Sequence, residues 1–390
     1  MTSRVSLLSS TALAAAAIVF AGAPSSAASL DALEKRVKAL EKAGAGKSVS
    51  RSKKTMKLTV SGHLNRMVQV VDNGVNSEVR HVTNQQSRSR VRWVGTGKLT
   101  DDISVRTLIE FGNSDAISSG QNIQTAGQNG GATFDTRHID LQLTSKTMGK
   151  LYMGHGSDAN DGIVGQSDLS GTLIVLSGGA DEDLTYGGEN FVNSAGTVIL
   201  RSGAAQDELD GTRNDRIRYD TPSFGGFKGA VSHTNDDQTN WSIRYAGSFS
   251  GVKVKAGIGQ NLNEGNAQRT ITSGGVGILL PMGLSFQIAG GERDLDTTGR
   301  NDPTTVFYRV GYRFKGSELG ETRLAVSYSE GEDFAADGDK LETISAGIVQ
   351  IIEPLGSELY ASYHNVDLER TGVVGIEDID VFSVGMRVKF

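Results

Sequence analysis

The sequence predicts an all-β chain: a closed, antiparallel, sixteen-stranded transmembrane β-barrel with a long inward-folded loop, preceded by a short coiled-coil helix. Three observations predict it. From Lys57 onward apolar residues recur at every second position, and these segments lack the 3.6-residue period of a helix. Glycine is abundant, at 50 residues, and proline scarce, at 5, which suits many strands joined by tight turns better than a disordered chain. The connections alternate between short and long, as strands crossing a membrane back and forth require. A hydrophobic share of 37% is low for a packed soluble core but enough for a wall that is apolar on one side only.

The first elements precede the barrel. Arg4 is the only charge in the first thirty residues, an apolar stretch follows over 7–22, and Ser25, Ser26, Ala27 and Ala28 are small. Residues 1–28 therefore read as a secretory signal peptide, with an inner-membrane anchor as the competing reading. Nothing later approaches the ~18 apolar residues of a membrane helix. In residues 29–46, Leu30, Leu33, Val37 and Leu40 fall at the a and d positions of two heptads. Two heptads are too few to hold alone; a trimeric assembly would concentrate them enough to pair, and a solvated single helix fits the pattern equally well. Residues 47–56 form a basic linker, and 57–390 the barrel.

The closing strand shows the barrel pattern best. Phe382, Val384, Met386, Val388 and Phe390 alternate with Ser383, Gly385, Arg387 and Lys389. Segments 306–315, 241–249 and 252–259 alternate likewise. Sixteen such segments begin near Lys57, Val82, Asp102, Thr136, Gly149, Asp215, Gly225, Thr239, Gly251, Ala267, Gly283, Asp302, Glu318, Lys340, Leu355 and Asp378. Short turns are expected at 97–101, 145–149, 222–226, 250–251, 281–283, 315–318 and 354–356. Longer polar loops are expected at 113–131, 292–301, 331–339 and 367–378. Residues 156–214, between the fifth and sixth strands, lose the alternation; so long an irregular connection is usually functional.

Composition also excludes. Without cysteine there are no disulfides, thiolate metal sites or cysteine nucleophiles. A net charge of −6 argues against general nucleic-acid binding. The six histidines show no metal-ligand spacing. Asp158-Ala159-Asn160-Asp161-Gly162 departs from a calcium loop in its acidic spacing and lacks the closing Glu. No metal and no cofactor are expected, and no enzymatic activity.

The signal-peptide pattern, the first strand Leu58-Thr-Val-Ser-Gly62-His-Leu-Asn-Arg66, the strand Gly149-Lys-Leu-Tyr-Met-Gly154-His-Gly156 and the closing strand ending in Phe390 carry a resemblance. The chain resembles the general porins of alphaproteobacterial outer membranes over nearly all of 57–390. That resemblance implies a homotrimer of sixteen-stranded barrels in the Gram-negative outer membrane. Each would be a water-filled channel for passive diffusion of small hydrophilic solutes and ions. It implies a third external loop, here 156–214, folded in to narrow the bore. It also implies that Phe390 is read by barrel-assembly machinery, and contact with outer-membrane lipid and lipopolysaccharide.

Candidate residues follow from strand parity. Arg88, Arg90 and Arg92 recur at i, i+2 and i+4, opposite in phase to Val91 and Trp93. Val105, Thr107, Ile109 and Phe111 set the lipid face of the third strand and turn Arg106 inward. An arginine facing lipid near mid-membrane costs roughly 2–4 kcal/mol, which favours the inward assignment. A basic row needs water or opposing carboxylates, and the long loop offers Asp158, Asp161, Asp168, Asp181, Asp183 and Glu189. Opposed rows would create a transverse field across a constriction; the bland alternative places the arginines at a solvated rim. Arg216 and Arg218 are secondary inward candidates. Trp93, Phe314, Phe382 and Phe390 read as membrane-interface aromatics. Arg66 breaks the pattern by falling among the outward residues Val60, Leu64, Val68 and Val70; a bulge or a polar contact between subunits would explain it. An outer-membrane lipid hydrolase would need an outward Ser–His pair, and none is in phase. A substrate-specific channel remains a close alternative.

Overall fold

A computed structural model describes residues 48–49, 56–125, 133–177, 183–207, 209–263 and 269–390. The signal peptide, the heptad helix and most of the linker lie outside the described residues. Within the linker the chain already pairs, Ser48 with Thr59 and Val49 with Leu58.

One antiparallel sheet closes on itself. Its strands are β1 Met56–Asp72, β2 in two arms Ser77–Thr83 and Arg90–Lys98, β3 Ile103–Asn113, β4 Phe134–Ser145 and β5 Gly149–Ser157. Then come β6 Arg213–Asp220, β7 Phe227–Thr234, β8 Gln238–Phe249, β9 Val252–Asn263, β10 Arg269–Leu279 and β11 Leu284–Asp294. The last five are β12 Thr304–Ser317, β13 Gly320–Glu332, β14 Lys340–Ile352, β15 Ser357–Glu369 and β16 Ile379–Lys389. Each strand pairs with its sequence neighbours, and β1 pairs with β16, Leu64 opposite Val388 and Asp72 opposite Asp380. The seam ends where Gly62 and Phe390 exchange backbone hydrogen bonds of 2.9 and 3.0 Å. Closure removes both sheet edges, which a membrane does not tolerate unpaired.

Period-2 alternation sorts the two faces. Leu64, Val326 and Ile344 stand outward, 64%, 56% and 59% exposed, while Ser327 and Ser345 beside them are buried. No helix among the described residues is long and apolar enough to cross a membrane; the strands supply the crossing. The expected short turns are all present. Two connections at the opposite end are also short, 73–76 and 235–237, so the alternation of loop lengths is incomplete.

Two irregularities matter. β2 is interrupted by a 3-10 turn at Gln85–Ser87, capped by the Asn84 side chain, which accepts from the Gln86 amide. β1 stabilises the break: the Asn65 amide nitrogens bond Ser89 Oγ at 2.9 Å and Ser87 O at 2.8 Å, and Tyr360 donates to Asn65 Oδ1 at 2.6 Å. In β4 a bulge opposite Glu110 and Phe111 inserts one residue, so Arg137 and His138 are both carried toward the polar face.

The long connection after β5 packs against the polar face of the wall. Hydrophobic clusters form between them, one of Ile163, Val164, Ala289 and Phe307, another of Ile174, Val175 and Leu176 with Met67, Ala325 and Tyr360. Glycine provides the room. A Cβ at Gly277 would stand 1.8 Å from Ser167 O, and one at Gly311 2.5 Å from Ser170 Cβ. Within the connection a small hairpin pairs Asn190–Val192 with Val198–Arg201.

Candidate functional site

The inward residues of β2, β3 and β4 converge on one carboxylate. Glu110 of β3 is fully buried and receives Arg92 Nε at 2.7 Å, Arg137 Nε at 2.8 Å and Arg90 Nη1 at 3.3 Å. β2 and β3 pair Arg92 directly with Glu110, and the β4 bulge supplies Arg137. Next to them Arg88 Nη1 meets Asp135 Oδ2 at 2.8 Å. Arg213, at the start of β6, makes no ion pair among the described residues, yet its charge acts on Arg90, Arg137 and His138. Two carboxylates thus pair with four guanidiniums, Arg213 adds a fifth, and the wall carries a positive surplus.

Two expectations need correction. Arg88 does not extend a strand row with Arg90 and Arg92: it lies beyond the 3-10 turn that breaks β2 and points to Asp135 instead. The neutralising carboxylate of Arg90 and Arg92 comes from the adjacent strand, not from the long connection. Glu110 was readable, since the parity that turns Arg106 inward turns Glu110 inward too. Arg137 was not, because the bulge reverses its parity. Arg106 is half-buried on the same face and makes no ion pair among the described residues.

The acidic candidates divide into groups. Asp158 is buried; its Oδ2 accepts from Asn214 at 2.7 Å and its Oδ1 has no partner. Burial, reinforced by the Asp161 charge, pushes its carboxyl up to about 6. Asp210, which sequence reasoning passed over, is raised by burial and by Asp161, and accepts from the amides of Gly162 and Val164 at 3.2 and 3.3 Å. Asp161 also acts on His138, which brings this group near the basic cluster. Asp168 is elsewhere, 3.4 Å from Arg309 of β12; burial opposes its ionisation, but that charge and bonds from Ser170 and Gly171 hold its carboxyl below the usual range. Glu189 pairs with Arg80 on the first arm of β2. The Asp183 backbone opens the helical turn Asp183–Tyr186, and Asp181 lies outside the described residues.

Arginines of the remaining wall hold backbone carbonyls. Arg218 donates to Asp158 O at 2.5 Å, and Arg244 to Ala159 O and Asp161 O at 3.0 and 2.9 Å. Arg313 donates to Ser170 O at 2.8 Å, Arg323 to Gly171 O at 3.3 Å and Arg309 to Ser177 O. Arg216 is tied to Asp140 at 3.0 Å.

The four aromatic candidates lie on the outer face. Trp93 meets Phe111 edge-on, with centroids 6.1 Å apart, and Phe314 stacks on Tyr312 at 5.4 Å; Phe382 and Phe390 are exposed. Ser345 and His364 share a 2.8 Å hydrogen bond, but both are buried on the polar face, away from lipid.

A family model described as Gram-negative porin matches residues 12–371. Three solved structures are similar in fold. The anion-selective porin of Comamonas acidovorans is 17% identical, with TM-score 0.56, covering 86% of this chain and 100% of that one. The trimer form of OmpT, an outer membrane protein of Vibrio cholerae, is 14% identical, with TM-score 0.58, covering 86% and 100%. The outer membrane channel DcaP of Acinetobacter baumannii is 12% identical, with TM-score 0.56, covering 87% and 99%. No curated protein matches the chain by sequence.

Proposed function

The chain belongs to the Gram-negative porin family and serves as an outer-membrane channel for passive diffusion of small hydrophilic solutes and ions; from that premise we propose that residues 156–214 narrow the bore against a basic wall. One observation carries this reading. The connection is bonded to polar-face residues of β6 through β14, to Gln69 of β1 and to Arg80 on the first arm of β2; among the described residues it makes no ion pair with Arg90, Arg92, Arg106 or Arg137, which leaves these guanidiniums of β2 to β4 to face the remaining aperture. Arg90, Arg92, Arg106 and Arg88, joined by Arg137 and Arg213, form the basic side. Asp158 and Asp161, with Asp210, form the acidic edge nearest to them. Asp168 and Glu189 instead anchor the connection, and Asp183 and Asp181 belong to the same constricting segment. Charge of both signs across a low-dielectric aperture orders water and disfavours apolar solutes of equal size. The basic surplus inclines the channel toward anions.

The fold neighbour solved as a trimer supports a homotrimer here, which the heptads of 29–46 would reinforce after removal of residues 1–28. The strand motifs favour the alphaproteobacterial branch. Trp93, Phe314, Phe382 and Phe390 serve as interface anchors contacting lipid and lipopolysaccharide, with Phe390 also presented to the assembly machinery. Planar-bilayer recording in a salt gradient tests the constriction. Arg92→Ala with Arg106→Ala is expected to move the reversal potential toward cations; an unchanged potential removes both residues from the constriction.

A further inference from the structure

We propose that the periplasmic rim of the barrel is a seating ring, a circle of turn side chains embedded in the lipid leaflet on that side of the outer membrane. The inference rests on the outer-membrane placement and not on the constriction. Seven turns join strands at that end, and each carries or adjoins one large apolar side chain that projects from it. Leu99, Met148, Phe224 and Phe249 mark the first four turns, and Met282, Leu319 and Leu355 the last three. Phe390 does the same at the seam, where β16 ends beside β1. Their exposures run from 49% to 87%, as free as residues of the lipid-facing band. At the other end, the connections 235–237, 295–303 and 333–339 expose no large apolar side chain. They carry Asp236, Asp237, Asp296, Asp302, Asp333 and Asp337 instead.

Depth decides what covers the ring. Asp380 and Glu292 are outward charges toward the extracellular ends of β16 and β11, and they mark where the apolar band stops. Phe390 and Met282 each lie ten residues from them along the chain. That is roughly 33 Å of strand and, at a ~40° tilt, about 25 Å of depth, the height of a barrel's apolar band. The tips therefore stand where hydrocarbon gives way to headgroups, not out in the periplasm. Several continue the lipid-facing surface directly. Leu99 and Phe249 keep the outward parity of β2 and β8. Met148 lines an apolar notch of about 600 Å³ with Ile103, Leu143, Leu151 and Tyr219, whose hydroxyl donates to Met148 O at 2.6 Å. Exposed lysines stand close by in sequence: Lys98 beside Leu99, Lys146 before Met148 and Lys315 before Leu319. They make no ion pair among the described residues and suit the phosphates of a lipid leaflet. In water, such a circle of apolar surface would favour association. A protein partner docking on one side would use a few of these positions; a medium that surrounds the barrel uses all of them.

The chain has no cysteine, so single cysteines can report each position. Met148→Cys, Phe224→Cys and Met282→Cys are each labelled with bimane in the purified full protein. They are compared with Asp237→Cys, at the opposite end, in vesicles of phosphatidylcholine and phosphatidylglycerol. Seating predicts loss of fluorescence with brominated acyl chains and little loss with aqueous iodide at the three rim positions, and the reverse at position 237. Iodide quenching at all four positions alike overturns the proposal. A label alters the side chain it replaces, so a second variant carries none: Met148→Ser with Phe224→Ser and Met282→Ser. It is expected to fold, by heat-modified gel mobility, and to conduct as before, yet to leave the vesicles at a lower detergent concentration. Extraction at the wild-type concentration also overturns the proposal. Should the triple variant fail to fold, the labels decide. Loss of conductance in the wild type would instead strike the channel reading and leave the quenching result standing.

Discussion

The wall from β2 to β4 and the wall from β6 to β14 use the same residue for opposite ends. In the first, arginines meet carboxylates of neighbouring strands: Glu110 takes Arg90, Arg92 and Arg137, and Asp135 takes Arg88. In the second, Arg244 and Arg313 spend donors on backbone carbonyls of the long connection, and Arg323 divides its donors between Gly171 O and Glu321. A guanidinium paired with a wall carboxylate can keep part of its side chain exposed, as Arg92 does. One that clasps a carbonyl acts as a fastener. Inward direction therefore does not define a pore residue; what the side chain holds does.

The comparison breaks most sharply if the connection is displaced. Gly277→Val puts a side chain where Ser167 O lies, so the segment must leave that stretch of wall. Single-channel conductance is expected to rise severalfold, and the segment to become sensitive to protease; unchanged conductance would mean that the connection does not limit flow. The next effect is on Glu110→Gln. Three guanidiniums lose their shared carboxylate, which costs about 3–5 kcal/mol as for a broken buried ion pair. Thermal denaturation in detergent should show the loss, and the surviving channels should favour anions more strongly. A third experiment compares Arg92→Ala with Arg313→Ala. The first should shift the reversal potential toward cations and leave the segment protected. The second should loosen the segment with a smaller change in selectivity, and equal shifts in both would erase the distinction.

The smallest effect is of pH. Burial raises the Asp158 carboxyl to about 6, so it binds a proton as pH falls through that value. Removing this negative charge should move the permeability ratio toward anions between pH 7 and 5, and Asp158→Asn should flatten that change. The sign for stability agrees. A raised carboxyl favours its neutral form in the folded protein, so stability is greatest below the ordinary value of 3.8, falls as pH rises from there to about 6, and stays at the lower level above it.

The sequence made the barrel legible because hydrocarbon and water impose opposite demands on successive residues, and parity records both. It gave the strands, the turns and the direction of Arg90, Arg92 and Arg106. Parity fails where the backbone changes phase. The 3-10 turn at Gln85–Ser87 takes Arg88 off the strand, and the bulge in β4 swings Arg137 inward. The clasped segment was hidden for another reason: its carbonyls are present on every residue, so no side-chain pattern announces which will be held. The glycines at 277 and 311 did leave a trace, as inward positions without a side chain, but their meaning depends on what rests against them.

The exchange of backbone bonds between Gly62 and Phe390 has a consequence for biosynthesis. Phe390 supplies the last rungs that join β16 to β1. A nascent fragment without β16 carries two raw edges that lipid cannot satisfy. Closure of the wall must therefore wait until β16 has been made and can reach β1.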